Sequence, residues 1–327
     1  MKSIIITRPG GAEVLATEER PVPEPGPGEI RVRVQASALN RADVLQRMGS
    51  YPAPPGAPAD IPGLEYAGEV DAVGEGAGLW AVGNRVMGLV GGGGHAEYVV
   101  VHEREAIRIP QNCTVEAAAA IPEAFLTSYD ALFRQLDLKV GERVLIHAVG
   151  SGVGTAALQL ARAAGAVTLG TSRTPEKLRR AEQELGLEVG IDTGREDLAE
   201  AVNQATYGSG VHAVLDLVGG KLLEASLRVL ALRGRAIVVG TTAGSKAEID
   251  LGLLLRRRLH LFGTVLRSRP LEEKIALARE FSSSVLPLLS SGRIKPVIDS
   301  TFGFKDIRKA HERMESNATF GKIVLTW

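Results

Sequence analysis

The chain has 327 residues, with 38 Lys and Arg balanced by 38 Asp and Glu and a single cysteine, Cys113. That length exceeds one core of ordinary size, so two domains are expected. The balanced charge gives no electrostatic ground for a nucleic-acid or anionic-membrane partner, and one cysteine excludes an internal disulfide and a multi-cysteine zinc site. The apolar run in the N-terminal MKSIIITRPGG is too short for a signal peptide, and no stretch could span a bilayer. A soluble, cytoplasmic protein is expected.

Residues 1–121 read as mainly β. Short runs rich in Val and Ile at 3–7, 29–36, 68–73, 85–89 and 96–101 are separated by turn residues at 9–11, 21–28 and 74–78. Residues 40–48 read as a helical turn. SYPAPPGAPADIP at 50–62 is too rich in proline for a regular element and is expected as an irregular loop. His95, after the glycines at 91–94, reads as a loop residue, since no second His or Cys stands near it. Residues 117–135 read as one helix leading into the second domain.

From residue 143 strands and helices alternate. Strands are expected at 143–148, 166–171, 189–191, 213–217, 235–239 and 259–265, with helices including 175–185, 195–207 and 221–231. Such alternation implies a parallel sheet covered on both faces. The Arg256–Arg258 run reads as the solvated end of a short helix. After Val265 the alternation stops. Helices at 271–289 and 305–316 and strands at 297–302 and 322–327 cannot bury themselves alone, and a return to the N-terminal β domain would satisfy them.

The stretch RVLIHAVGSGVGTAA at 143–157 organises the second half. A buried strand runs into Gly150, Ser151, Gly152, Val153 and Gly154, and a helical pattern follows up to Gly165. Glycines admit close backbone approach, and a helix N-terminus offers N–H groups to a pyrophosphate. Ser151 stands where a middle glycine is usual. The next strand ends about 20 residues on, where such folds read the ribose 2′ position. Thr171, Ser172, Arg173 and Lys177 there offer donors and positive charge and no carboxylate, which suits a 2′-phosphate and so NADPH. His147, at the strand end, reads as a packed structural residue.

These features together carry a family resemblance. ASALNRADVLQRMG at 36–49, Gly63-Leu64-Glu65, the run 118–129, IHAVGSGVGTAALQLAR, Leu266-Arg267-Ser268-Arg269 and Gly321-Lys322-Ile323-Val324-Leu325 resemble the zinc-free quinone oxidoreductases of the medium-chain dehydrogenase/reductase superfamily. Asn40, Tyr51 and the Ser-Gly-Val-Gly turn are most similar to the tumour-suppressor-inducible, NADPH-dependent branch. The resemblance implies a doubly wound α/β parallel sheet, a Rossmann domain at 123–266, inserted in a GroES-like, mainly β catalytic domain at 1–122 and 267–327. Where alcohol dehydrogenases of the superfamily carry zinc ligands, this chain has Asn40, Leu64 and, near the third position, Glu123, which cannot make a zinc site. Glu65 and Asp43 then read as structural.

The resemblance further implies that Asn40, Thr127, Ser151, Gly152, Val153, Gly154, Ser172, Arg173, Lys177, Gly240, Leu266 and Lys322 line NADPH. Without zinc, suitable acceptors are those whose reduced form delocalises charge, a quinone or an activated C=C bond in an enal or enone. Tyr51, on the proline-rich loop, is the candidate donor to the acceptor oxygen, with Asn40 next. A low-turnover NADPH-binding protein is the alternative of a different class. The apolar edge strand LHLFGTV at 259–265 leads us to expect a homodimer.

Overall fold

The computed structural model describes residues 1–327. In chain order the elements are β1 (Lys2–Ile6), β2 (Leu15–Glu19), β3 (Glu29–Leu39), α1 (Arg41–Arg47), β4 (Glu65–Val73), β5 (Arg85–Leu89), β6 (Tyr98–His102), β7 (Ile107–Arg108), α2 (Val115–Ala119) and α3 (Pro122–Tyr129). There follow β8 (Arg143–Ile146), α4 (Gly152–Ala163), β9 (Val167–Ser172), α5 (Pro175–Leu185), β10 (Val189–Asp192), α6 (Leu198–Ala205), β11 (Val211–Asp216), α7 (Lys221–Val229), β12 (Leu230–Val238), α8 (Leu251–Arg257) and β13 (His260–Gly263). The chain closes with α9 (Leu271–Ser284), α10 (Leu286–Ser290), β14 (Ile298–Gly303), α11 (Ile307–Glu315) and β15 (Lys322–Thr326). Two compact units result: Met1–Leu126 together with Leu266–Trp327, and Thr127–Val265.

In the first unit a seven-stranded sheet has the order β14-β15-β3-β4-β5-β7, with β6 also on β3. The long β3 makes this possible. Its residues 29–33 pair with β6, residues 36–39 pair with β15, and β4 runs along residues 30–36. Alternate side chains of β3 (Ile30, Val32, Val34) pack with Tyr66, Val70, Val86 and Val99, as period-two alternation requires. A second cluster (Ile4, Leu15, Leu39, Val44, Ile307, Met314, Ile323, Leu325) seats α11 and the β1–β2 hairpin. The pairing of β15 with β3 sets Ile323 opposite Leu39, and so brings Lys322 beside Asn40.

The second unit is a six-stranded, all-parallel sheet in the order β10-β9-β8-β11-β12-β13. Numbered within the unit this is 3-2-1-4-5-6, the doubly wound order that places a ligand crevice where the order reverses, outside the carboxyl ends of β8 and β11. Leu145, Leu169, Ile191, Val214, Leu227 and Ala236 form its core.

Several boundaries differ from the sequence expectation. The single helix expected over 117–135 is three pieces: α2, α3 and a π-helical turn at Asp130–Gln135. Pro122, at the start of α3, has no N–H to continue the preceding helix. The helix expected over 271–289 is likewise two, with Pro287 in the first turn of α10. The helix expected from 195 starts at Leu198, because the Asp197 side chain caps the N–H groups of Ala199 and Glu200. β2, whose sequence LATEE lacks apolar alternation, is stabilised by its pairing with β1.

Candidate active-site residues and nucleotide site

The nucleotide side is built by the β8–α4 connection. Ala148 takes a left-handed conformation (φ 49°), Ser151 N donates back to Ala148 O (2.8 Å), and α4 begins at Gly152. Ser151 is the N-cap: its Oγ accepts from Gly154 N at 3.0 Å. This explains a serine at a position where glycine is usual, since the hydroxyl takes one of the otherwise unpaired N–H groups of the first turn. Gly154 is required by space. A Cβ there would lie 2.4 Å from Ala148 O and 2.8 Å from Val149 Cα. Ser128, one residue after the buried Thr127, donates to Val153 O (3.0 Å), so α3 braces the turn. At the end of β12, Gly240 is fixed the same way, with a Cβ position only 2.8 Å from Leu217 O.

β9 ends at Ser172, whose Oγ accepts from Thr174 N (3.0 Å). Arg173 is exposed just before Thr174, the N-cap of α5, and Lys177 is half-buried in the first turn of that helix. The sequence reading overlooked an acid nearby: Asp192 of β10 lies opposite Ser172 in register. That carboxylate is spent locally, accepting from Gly194 N (3.0 Å) and facing Arg195 at 3.6 Å. His147 is fully buried between Thr171 (2.9 Å) and Ser226 (2.7 Å), and burial lowers its pKa to about 4. It is a neutral packing residue.

The first unit gathers a different set of groups. Glu65, fully buried at the start of β4, receives Lys322 Nζ (2.7 Å), Asn40 Nδ2 (2.9 Å) and Glu123 N (2.8 Å). Lys322 also donates to Leu39 O (3.0 Å) and to Asn40 Oδ1, so its three protons meet three acceptors. Asn40 is thus held at both ends of its amide, and orients neighbours rather than offering a spare donor. Asp43 accepts from Asn40 N (2.7 Å) and Gly63 N (2.8 Å), fixing the entry of α1 and the end of the proline-rich loop. Gly63 has φ 100°, and a Cβ there would meet His95 N at 2.4 Å.

Glu123 lies in the first turn of α3. Burial, then the neighbouring Glu65 carboxylate, push its carboxyl up to about 8, against the pull of Lys322. It therefore holds its proton at neutral pH. Tyr51 is half-buried on the 50–62 loop, and burial raises its phenol pKa while Arg267 works in the opposite direction. Leu266 is buried in the same unit. Ser37, His95 and Asp43 resemble a hydrolytic triad in composition, with Ser37 Oγ 3.0 Å from His95 Nδ1. All three are fully buried, and the Ser37 proton goes to Glu65 O (2.8 Å), so the set is structural. No group of three or more His, Cys, Asp or Glu side chains is arranged to hold a metal ion.

A dinucleotide-type sheet inserted in a β unit with a buried polar cluster defines a class of nucleotide-dependent oxidoreductases. The chain matches the zinc-binding dehydrogenase family over residues 152–283 and the alcohol dehydrogenase GroES-like domain over residues 26–111. It belongs to the medium-chain dehydrogenase/reductase superfamily. A quinone oxidoreductase of Pseudomonas aeruginosa is 35% identical across 97% of this chain and 96% of its own length. Among solved structures, a mycobacterial protein complexed with NADPH superposes with a TM-score of 0.87 at 30% identity, covering 100% of both chains. The JamJ enoyl reductase superposes at 0.87 and 26% identity, covering 99% of this chain and 98% of its own.

The Glu123 environment sets a pH dependence whose sign is fixed. The unfolded carboxyl titrates at 4.5 and the folded one at about 8, so folding takes up a proton between those values and stability falls as pH rises through them. Glu123→Gln mimics the neutral form. Its melting temperature, measured beside the wild type, is expected to rise progressively relative to it from pH 4.5 to about 8. A difference that does not change with pH would show that Glu123 titrates normally.

Proposed function

We propose that the protein is an NADPH-dependent, zinc-independent reductase that transfers a hydride to a quinone. The observation that carries this reading is the donor set at the positions where alcohol dehydrogenases hold zinc. An amide committed at both ends (Asn40), a buried alkyl group (Leu64) and a carboxyl that keeps its proton (Glu123) do not make a zinc site. The nearby cation is the Lys322 ammonium, already paired with Glu65. Such a site favours acceptors that spread the charge they gain, and a quinone does so over its ring. The similarity to the quinone oxidoreductase of P. aeruginosa supports the same acceptor.

The reduced nicotinamide supplies the hydride when bound. The chain's part is binding, orientation and a hydrogen bond. Ser151, Gly152, Val153 and Gly154 suit the pyrophosphate, with Thr127 and Gly240 beside them, and Ser172, Arg173 and Lys177 suit the 2′-phosphate. Asn40, Leu266 and Lys322 are assigned to the nicotinamide side on the family resemblance. Tyr51 donates to the acceptor oxygen as it gains negative charge. The hydroquinone anion takes its proton from water, so Tyr51 need not ionise. A second reading, reduction of an enal or enone, is favoured by the likeness to the JamJ enoyl reductase. A low-turnover NADPH-binding protein is the remaining alternative.

Steady-state NADPH oxidation with a quinone panel and an enone panel, before and after exhaustive chelation, separates these readings. Quinone turnover that survives chelation is expected. Loss on chelation with recovery on adding zinc refutes the metal-free reading, enone preference selects the second reading, and no turnover selects the third. In the same assay Tyr51→Phe is expected to lower kcat by about 10²–10³ at most, the range for one oxyanion-hole donor, and an unchanged kcat with an intact fold leaves Tyr51 a packing residue.

Cofactor choice has its own measurement. Lys177→Ala and Arg173→Ala should each weaken NADPH by about tenfold or more, the scale of a hydrogen bond to a charged group, and leave NADH nearly unchanged. Equal losses for the two cofactors would assign these residues to the fold alone.

We also propose a homodimer through β13. That strand pairs only with β12 and is the edge of its sheet, Leu261 is 36% exposed, and Leu251 and Leu255 of α8 are 67% and 72% exposed. An unpaired sheet edge flanked by exposed leucines is covered by pairing with another copy about a two-fold axis. Light scattering at micromolar concentration is expected to give twice the chain mass, and a monomer would refute the interface.

A further inference from the structure

Arg267 is a guanidinium only 9% exposed, and its hydrogen bonds go to neutral acceptors. Nε donates to Gly91 O (2.7 Å), one terminal nitrogen donates to Tyr51 O (3.3 Å) and Pro52 O (3.4 Å), and the other donates to Gln46 Oε1 (2.5 Å). The same group lies over the Tyr51 ring, 5.0 Å from its centroid. A buried charge without a tight carboxylate partner costs desolvation that an apolar residue of similar volume would avoid. What an apolar residue could not do is bind three separate segments at once. Those segments are the last turn of α1, the start of the proline-rich loop, and the glycine turn after β5. The last two also touch directly, since a Cβ on Gly91 would meet Pro54 Cγ and Ala57 Cβ at 3.1 Å each.

We propose that Arg267 is a positioning residue: it straps the first residues of the 50–62 loop to α1 and to the Gly91 turn, and holds a positive charge against the face of the Tyr51 ring. The planar fork suits this, because one rigid group reaches several carbonyls and stacks on an aromatic face, which a lysine ammonium cannot reproduce. A cation on that face also favours electron-rich phenol, in line with the opposing effects of burial and Arg267 on the Tyr51 hydroxyl. The catalytic part of the proposal rests on Tyr51 being the donor to the acceptor oxygen. The strap itself does not.

The test therefore has one readout without turnover and one with it. Hydrogen exchange of peptides covering residues 49–62 is expected to be about tenfold faster or more in Arg267→Gln, a loop losing its fastening to the local structure, and intermediate in Arg267→Lys. Peptides covering β8 and β9 should be unchanged. Gln46→Ala would remove both its contact to Arg267 and the Gln46 Nε2 hydrogen bond to Ala59 O (3.1 Å) in the same loop, so Arg267→Lys, which leaves that bond in place, keeps the test available if Arg267→Gln fails to fold.

In steady state, Arg267→Gln is expected to lower kcat with the NADPH KM unchanged, and to cost no further kcat once Tyr51 is already Phe, because residues acting through one group are not additive. Partial recovery in Arg267→Lys supports the strap. Unchanged loop exchange in both Arg267→Gln and Arg267→Lys overturns it, and losses that add fully with Tyr51→Phe overturn its action through Tyr51. If Tyr51→Phe has full kcat while Arg267→Gln still accelerates loop exchange, the donor role of Tyr51 falls and the strap stands.

Discussion

The first unit depends on one buried carboxylate. Glu65 lies at zero exposure and is acceptable there only because three donors from three distant places converge on it: the β15 ammonium, the Asn40 amide at the entry of α1, and the N–H of Glu123 in α3. Breaking a buried pair by removing one partner costs about 3–5 kcal/mol, because the other charge is left unpaired. The ammonium of Lys322 is thus the counter-charge on which the burial of Glu65 depends. The same pairing ties Asn40 into a fixed orientation, and the Glu65 carboxylate adds to burial in raising the proton affinity of Glu123, against the pull of Lys322. Position, charge and protonation of the candidate catalytic groups follow from one electrostatic knot.

The second unit depends on close approach rather than on charge. Gly154 and Gly240 both sit where a methyl group would press into a backbone carbonyl, and Ser151 supplies the helix cap from within the turn. The result is a rigid first turn of α4 with backbone N–H groups at the point where strand order reverses. At the next strand end Ser172 stands opposite Asp192, whose carboxylate is occupied by its own turn and by Arg195.

The second unit was readable because its signals are local: a strand run, glycines at short spacing, then helical periodicity, repeated along the chain. The alternation implied a doubly wound parallel sheet, while the strand order came only with the observed pairing. The polar knot was harder. Glu65 and Lys322 are 257 positions apart, and nothing in either neighbourhood announces the other. The family resemblance placed Lys322 and Asn40 together, yet it did not reveal that their donors are consumed between themselves. Arg267 lay in a motif of the family resemblance, but its partners were not legible, since they are mostly backbone carbonyls, which any residue carries. The broken helices were different: Pro122 and Pro287 were visible, and the long helical runs around them outweighed a signal that should have ended each helix.

The pairing of β3 with β15 has a consequence for how the protein is made. Leu39 and Lys322 lie 283 positions apart, and the whole second unit is synthesised between them. Non-local strand pairing is slow because the loop must close before contacts reward it. The inserted unit is continuous in sequence and can mature while the first is still missing its central neighbour. Until β15 arrives, residues 36–39 of β3 lack the partner that β15 supplies, and Glu65 is without its cation. Between the emergence of Val265 and that of β15 the nascent chain therefore carries a finished nucleotide unit and an open β unit. The last strand to emerge closes the sheet and brings the counter-charge in the same step, so the polar cluster assembles only when the fold around it is complete.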